Sequence, residues 1–443
     1  MSVLRPREPV RMVFARPDGK ILDHPDLLLA GVGGGAPRPV RPDELIPLPR
    51  GSDMFSLPGR RPVGIDPHTG TAMAWDGGGE EVYGAAAFLA PAWTLFLHTA
   101  YSTLPHAPTL PLFAYGALGF ADDRFWTTGR RVDEDIRQDP WRFDPRRLRR
   151  QVTRRLTEMS NNPVAGSLQR CALEYNCRAA QNYFIGRHEA PLPTSSSCNS
   201  RCLGCISLQP DGEFPASHER VRRPREASDV AAVALDHIGR VPQGVVSFGQ
   251  GCEGEPLMSG DLLVETVRLV RAATSAGTIN LNTNGSRPDV VERLCAAGLD
   301  AIRVSINSLR EPIYNAYYRP VDYSLQDVCR SLLSVAAHGG LRAINYLVFP
   351  GVTDTEEELE ALEELIGGSD LEMIQMRNLN IDPELYRQQL PPGSVREGMG
   401  LGRFMDRLAA RHPRLRFGYF NPAKEIFRSW RRAERAGHGG QSQ

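Results

Sequence analysis

From residue 228 to residue 376 the chain alternates between two patterns: a stretch with apolar residues at helical spacing, then a short β-branched run. The short runs fall at 245–249 (VVSFG), 279–283 (INLNT), 301–306 (AIRVSI), 343–349 (AINYLVF) and 373–376 (MIQM). Each is short enough to be a buried parallel strand. Helical patterns cover 228–240, 259–276, 287–297, 324–338 and 354–367, with Ser228 and Ser259 standing where N-caps belong and Gly277, Gly298 and Gly339 where C-caps belong. Such alternation forces βαβ units and a parallel sheet, because each helix must carry the chain back before the next strand can start. With the stretch before residue 198 as the first strand, the count is six. The fold expected is α/β, with a parallel sheet of six βα units, and ligands of such sheets gather beyond the carboxyl ends of the strands.

Between the first strand and the first helix lies SSSCNSRCLGCIS, in which Cys198, Cys202 and Cys205 form a CxxxCxxC spacing. Thiolates so spaced can wrap one small inorganic core, and three rather than four of them leave one metal without a protein ligand. The alternative is a structural zinc site, which usually wants four closed ligands. No second CxxC and no His-x3-5-His follows His218 to supply them. Eight cysteines in 443 residues, with no signal-peptide pattern ahead of them, argue against a disulfide framework.

This spacing just after a first barrel strand resembles the hallmark of the radical S-adenosylmethionine (SAM) enzymes, and the resemblance runs from about residue 191 to about residue 383. It implies that the six units close into a partial (β/α)6 TIM-like barrel, and that Cys198, Cys202 and Cys205 hold a [4Fe-4S] cluster whose fourth iron is chelated by the amino and carboxylate groups of SAM. Glu253-Gly254-Glu255-Pro256 resembles the family's GGEP element with its first glycine replaced, which assigns Gly254 and Glu255 to the methionyl end of SAM. Thr283 and Asn284 after the third strand join that rim, as do Ser305 and Asn307 after the fourth, which resemble the ribose-contacting position. Arg377, in the dense polar set Gln375, Arg377, Asn378 and Asn380, is the candidate for a bidentate contact to SAM carboxylate or to substrate. One departure is that Gly204 stands where the family commonly has an aromatic residue before the third cysteine, so adenine contacts must come from elsewhere. By the same resemblance the reduced cluster cleaves SAM to a 5'-deoxyadenosyl radical that abstracts hydrogen from substrate, and a one-electron donor such as flavodoxin or ferredoxin is required.

The other cysteines bear on which branch of the family applies. Cys295 and Cys329 lie among Leu, Val and Ala in helical patterns and read as small core hydrophobes. Cys252 lies within the proposed SAM loop, where it could pack, ligate or donate hydrogen. Cys171 and Cys177, six apart in one expected helix, would face different ways, so a shared auxiliary cluster is not expected. The run Phe349-Pro350-Gly351-Val352-Thr353-Asp354 reads as a turn with Thr353 or Asp354 capping a helix whose first turn carries Glu356, Glu357 and Glu358; those carboxylates suit the helix dipole rather than catalysis.

Ahead of the barrel, VRMVFARPDGKILDHP and PVGIDPHTGTAMAW read as hairpins, so residues 1–140 are expected to form a β-rich accessory domain. Residues 141–190 are read as a helical linker, 191–390 as the core barrel, and 391–443 as a helix/strand extension whose tail frays from about Arg428. Val82 to Ala121 carries no charged side chain, but Pro91, Pro105, Pro108 and Pro111 interrupt any apolar span, so no membrane segment is expected. Arginines crowd residues 130–155, yet the chain is neutral overall and has only two lysines, so they read as a solvated or interdomain face rather than a nucleic-acid site. The expectation is a cytoplasmic radical SAM enzyme acting on a small molecule, peptide or RNA. Its rivals are a glycyl-radical activating enzyme and a noncatalytic metal-binding scaffold for nucleic acid.

Overall fold

The computed structural model describes residues 4–209, 214–221 and 226–438, the last five as backbone only. The barrel starts with β1 (Glu189–Pro191), α1 (Ala227–Arg240), β2 (Val245–Phe248), α2 (Gly260–Ala273) and β3 (Thr278–Thr283). It continues through α3 (Pro288–Ala297), β4 (Ala301–Ile306), α4 (Glu311–Tyr318), α5 (Leu325–Ala337), β5 (Leu341–Val348), α6 (Glu356–Ser369) and β6 (Met373–Asn378). After α7 (Pro383–Gln389) and α8 (Leu401–Arg411) a seventh strand, β7 (Arg416–Gly418), adds to β6, and α9 (Lys424–His438) follows. All seven strands are parallel and lie in sequence order. The expected partial barrel is thus present with one strand more than the six anticipated, because a three-residue strand carries no periodicity of its own.

The strands are not uniformly apolar. In β4, Ile302, Val304 and Ile306 are fully buried, each contributing about 1.5–3 kcal/mol by leaving water, while the alternate Arg303 and Ser305 face the lumen cavity. Asn345 and Leu347 of β5, and Arg377 of β6, line the same cavity. Period-two alternation thus separates a helix-facing apolar surface from a polar interior.

Helix ends follow local chemistry, with three changes from expectation, the first being that α2 is capped at Thr274 rather than Gly277. Ser324 and Asp327 form a capping box at α5, and Gly298, at φ 112°, ends α3. The cap of α6 is Thr355 rather than Thr353 or Asp354, and Ser228 lies inside α1, whose N-cap is Glu226. Asp354 instead accepts hydrogen bonds from the amides of Gly351 (2.6 Å) and Gly400 (2.9 Å). Glu358 is buried and accepts from Tyr346 Oη (2.6 Å) and the Leu309 amide (2.8 Å).

Residues 11–131 build an antiparallel sheet of 13 strands, including the hairpins Arg11–Ala15 with Ile21–Val32 and Arg60–Ile65 with Ala72–Ala74. The uncharged stretch supplies strands such as Tyr83–Phe88 and Trp93–Leu95. Among the described residues no helix is long and apolar enough to cross a membrane. Three helices follow, Pro145–Glu158, Pro163–Leu173 and Arg178–Ile185. Cys171 and Cys177 fall in different helices, not one: Cys177 is the N-cap of the third, after a break at Asn176 (φ 52°). In the arginine-rich first helix, Leu148 and Val152 are buried and Arg155 pairs with Asp236 of α1 at 3.1 Å.

The sheet is fastened to the barrel by buried polar contacts. Thr94 Oγ1 donates to Met376 O (3.1 Å), Asn378 Oδ1 accepts from the Leu95 amide (2.9 Å), and Asn378 Nδ2 donates to Trp93 O (3.1 Å). Arg60 and Asp382, both almost fully buried, pair at 2.7 Å. Where fraying was expected, α9 continues to His438, because Phe427 packs on Ala301 and Leu341 and Arg431 pairs with Glu372 at 2.6 Å. Residues 439–443 lie outside the described residues.

Candidate SAM and iron-sulfur site

The cysteine loop hangs between β1 and α4 and is pinned on both sides. Beyond β1, Glu253 reaches across from the loop after β2. One of its carboxylate oxygens accepts from the Thr194 amide (2.6 Å), the Thr194 hydroxyl (3.0 Å) and the Ser195 amide (2.9 Å). The other accepts from the Gly249 amide (2.5 Å). A glycine could not do this, so the replacement in the GGEP-like element exchanges backbone freedom for a side-chain staple. The Gly254 amide then donates to Ser195 O and the Glu255 amide to Ser197 O, both at 2.8 Å. A Cβ on Gly254 would stand 2.0 Å from Ser197 O, so only glycine permits this approach. On the far side the amides of Arg201 and Leu203 donate to Tyr318 O and Tyr317 O, both at 3.0 Å.

Cys198, Cys202 and Cys205 line one cavity of about 430 Å³. Burial pushes the Cys198 and Cys202 thiols up, and each neighbouring sulfur adds to the shift. A bound metal cluster would reverse that preference by compensating the thiolates. Among the described residues no three His, Cys, Asp or Glu side chains converge on a single-ion site; a cluster spreads three thiolates over three irons. Cys205 Sγ lies 3.7 Å from an Arg220 guanidinium nitrogen.

Of the residues assigned from sequence, Gly254, Glu255, Thr283, Asn284, Ser305 and Arg377 line this cavity together with the three cysteines. Asn307 does not. It is buried, and its amide donates to Tyr386 Oη (3.0 Å) and Ile313 O (3.3 Å), which corrects its assignment to the rim. The end of the strand explains the miss: alternation would turn Asn307 inward with Ser305, but β4 stops at Ile306 and Asn307 turns instead to α4. Glu255 accepts from the Thr283 hydroxyl and from the amides of Asn284 (2.8 Å) and Leu257 (3.0 Å), so it ties β3 to the loop after β2. Burial pushes the Glu253 and Glu255 carboxyls up to about 7 against these donors. Asn284 reaches the cysteine loop itself, donating to Asn199 Oδ1 and Ser200 Oγ at 2.9 Å. Asn378 is consumed by the accessory sheet rather than free for a ligand.

Several lining residues were not singled out from sequence. A Cβ on Gly204 would stand 2.8 Å from Tyr317 Oη, so the tyrosine of α4 fills the space beside the residue that precedes the third cysteine. The YNAYYRP run was the available signal. Arg303 was missed although its alternation with Ser305 marks it as inward-facing. Cys252 is buried and does not line the cavity.

Comparison with known proteins adds the family. Residues 192–366 match the family model of the radical SAM superfamily. The chain is 27% identical over 183 residues to the FeMo cofactor biosynthesis protein NifB of Klebsiella pneumoniae, covering 37% of this chain and 38% of that one. It is 29% identical over 172 residues to the GTP 3',8-cyclase of Heliobacterium modesticaldum, covering 38% and 49%. The chain therefore matches about half or less of the length of these curated relatives. Among solved structures, SuiB of Streptococcus suis bound to its precursor peptide SuiA superposes with a TM-score of 0.38 at 15% identity, over 58% of this chain and 53% of that one. The cysteine spacing, the parallel barrel and the family match agree: residues 192–366 form a radical SAM domain.

Proposed function

We propose that this chain is an enzyme that cleaves SAM reductively and uses the resulting 5'-deoxyadenosyl radical to abstract hydrogen from its substrate. The cofactors of the superfamily are a [4Fe-4S] cluster and SAM, and when bound they supply that radical. The carrying observation is that Cys198, Cys202, Cys205, Gly254, Glu255, Thr283 and Ser305 line a single cavity at the carboxyl end of the strands. In this reading the three thiolates hold the cluster. Gly254 offers backbone to the methionyl end of SAM, with Glu255, Thr283 and Asn284 fixing that backbone and Ser305 facing the ribose. Tyr317 and Tyr318 also line the cavity and offer aromatic surface where Gly204 has none.

The protein's own work is positioning and exclusion of water and oxygen. The accessory sheet supports that role, since Phe88 and Leu89 help to line the cavity. The domain division at residues 140, 190 and 390 belongs to the same proposal, with the first part closing the mouth. Electrons come from a one-electron donor such as flavodoxin or ferredoxin. Cys202 and Cys205 also line a second cavity of about 860 Å³ with Arg201, Arg220 and Arg319, which supports electron entry on that side by an acidic donor. Cytoplasmic residence, where iron-sulfur thiolates stay reduced, goes with this proposal.

The test is anaerobic reconstitution with iron and sulfide, reduction, and assay for 5'-deoxyadenosine. About four irons per chain and product formation that disappears in Cys202→Ser are expected. A protein that holds one zinc and leaves SAM intact would end this reading.

A further inference from the structure

We propose that Arg303 and Arg377 form a ready-made subsite in the barrel lumen for an oxyanion group, carboxylate or phosphate, carried by the substrate. The proposal rests on the reading of this cavity as the site of the radical reaction and names its substrate class.

Lumens of parallel barrels are ordinarily filled by branched apolar side chains. Here the register sets Asn282 beside Arg303, then Ser305, Asn345 and Gln375 in the next layer, then Leu347 beside Arg377. Arg303 donates one hydrogen bond from its guanidinium, to Gln375 Oε1 at 2.9 Å, and its buried Nε has no partner. Arg377 donates to Tyr419 O at 2.6 Å and stacks 3.6 Å from the centroid of that ring; its buried Nε also lacks a partner. Both line the cavity. Among the described residues neither guanidinium forms an ion pair with a carboxylate.

The carboxylate that faces Arg303 is already engaged. Glu189 Oε1 accepts from Gln250 Nε2 (3.0 Å) and Asn421 Nδ2 (2.8 Å), and Oε2 lies 3.7 Å from Arg137. Burial, and after it the like charge of Arg377 in the same cavity, push Arg303 down to about 9. An uncompensated buried charge is costly, and an incoming oxyanion removes that cost. A planar guanidinium with free N–H groups suits two-point contact with a carboxylate or phosphate. Asn345, whose Oδ1 is buried without a partner, offers a polar neighbour for the rest of such a ligand. The residues read as holding the methionyl end of SAM lie instead on the exits of β2 and β3, while Ser305 of β4 is read as facing the ribose.

The test uses the anaerobic holoenzyme with SAM bound, titrated calorimetrically with inorganic phosphate in one arm and succinate in the other. Saturable binding of one or both is expected, and the tighter probe tells phosphate from carboxylate. Arg303→Met, which removes the charge and keeps the length, should weaken that binding at least ~10-fold, Arg377→Met similarly, and Arg303→Lys by less. Should Arg303→Met unfold, Arg377→Met at the strand end and Arg303→Lys carry the comparison. Absence of saturable binding in the parent protein, or equal binding in the methionine variants, overturns the proposal. So does a loss of SAM affinity in these variants with probe affinity intact, which would make the arginines contacts of the SAM carboxylate. Failure of the underlying function reading appears elsewhere, as absence of 5'-deoxyadenosine from the parent enzyme whatever the anion does.

Discussion

Replacing Gly254 by alanine tests whether the loop after β2 and the cysteine loop are built as one unit. The new Cβ would stand 2.0 Å from Ser197 O, 2.6 Å from its carbonyl carbon and 3.1 Å from its amide nitrogen, all backbone atoms one residue before Cys198. Ordinary contact requires the two segments to separate by about 1 Å or more. That movement breaks or lengthens the Gly254 N–Ser195 O and Glu255 N–Ser197 O hydrogen bonds. Two backbone hydrogen bonds at about 1 kcal/mol each, plus an overpacking strain of about 1–3 kcal/mol, give a loss of about 3–5 kcal/mol. Because the displaced carbonyl precedes Cys198, the reconstituted cluster should also fall well below full occupancy. Urea unfolding of the apoprotein and iron analysis after anaerobic reconstitution measure the two effects. Gly166→Ala is the control, since a Cβ there meets nothing within 4 Å inside the helix Pro163–Leu173; it should be neutral or stabilising by about 0.5–1 kcal/mol. A Gly254→Ala protein that unfolds at the parent's urea midpoint and holds the parent's iron would refute the reasoning.

Asn307→Ala should destabilise by about 1–3 kcal/mol, by leaving buried Tyr386 without that partner, while the SAM dissociation constant moves less than about twofold; a large loss of SAM affinity would return Asn307 to the cofactor site. Asp382→Ala should cost about 3–5 kcal/mol in urea unfolding, because it strands Arg60 and the Leu110 amide at the seam between sheet and barrel. A change below about 1 kcal/mol would mean the seam carries little stability. His98 is fully buried against Phe349, and burial pushes its imidazole down to about 3. Its folded pKa is depressed below the unfolded value, so its contribution is complete above about 6.5 and is lost as pH falls toward 3. The stability difference between the parent protein and His98→Gln should therefore shrink by about 2 kcal/mol from pH 7 to pH 5, and a pH-independent difference would contradict the burial argument.

The barrel was legible because its signal is local and repeated. Each strand and each helix carries its own periodicity, and the glycine that closes α3 lies where the pattern places it. The cysteine triplet was legible for the same reason, since three thiols within eight residues need no tertiary information to be recognised together. Inward and outward were harder to separate. Arg303 was concealed by reading AIRVSI as a uniformly buried strand, and Asn307 was assigned to the rim although it lies beyond the alternating part of β4. The pairing of the three-residue strand β7 with β6 and the helical tail beyond Arg428 depend on packing partners far away in sequence, so neither could be read from its own segment.

The sequence by itself determined the α/β class, the parallel βαβ alternation and the cysteine loop, because these follow from periodicities and spacings shorter than a helix. Only the tertiary structure decided what surrounds that loop. Glu253 stapling β1 to β2, Tyr317 filling the space beside Gly204, the accessory sheet fastened through Asn378, and two unpaired arginines in one lumen all join residues many positions apart. Burial and charge compensation belong to the assembled environment rather than to any residue type, so they exist only once the chain has closed.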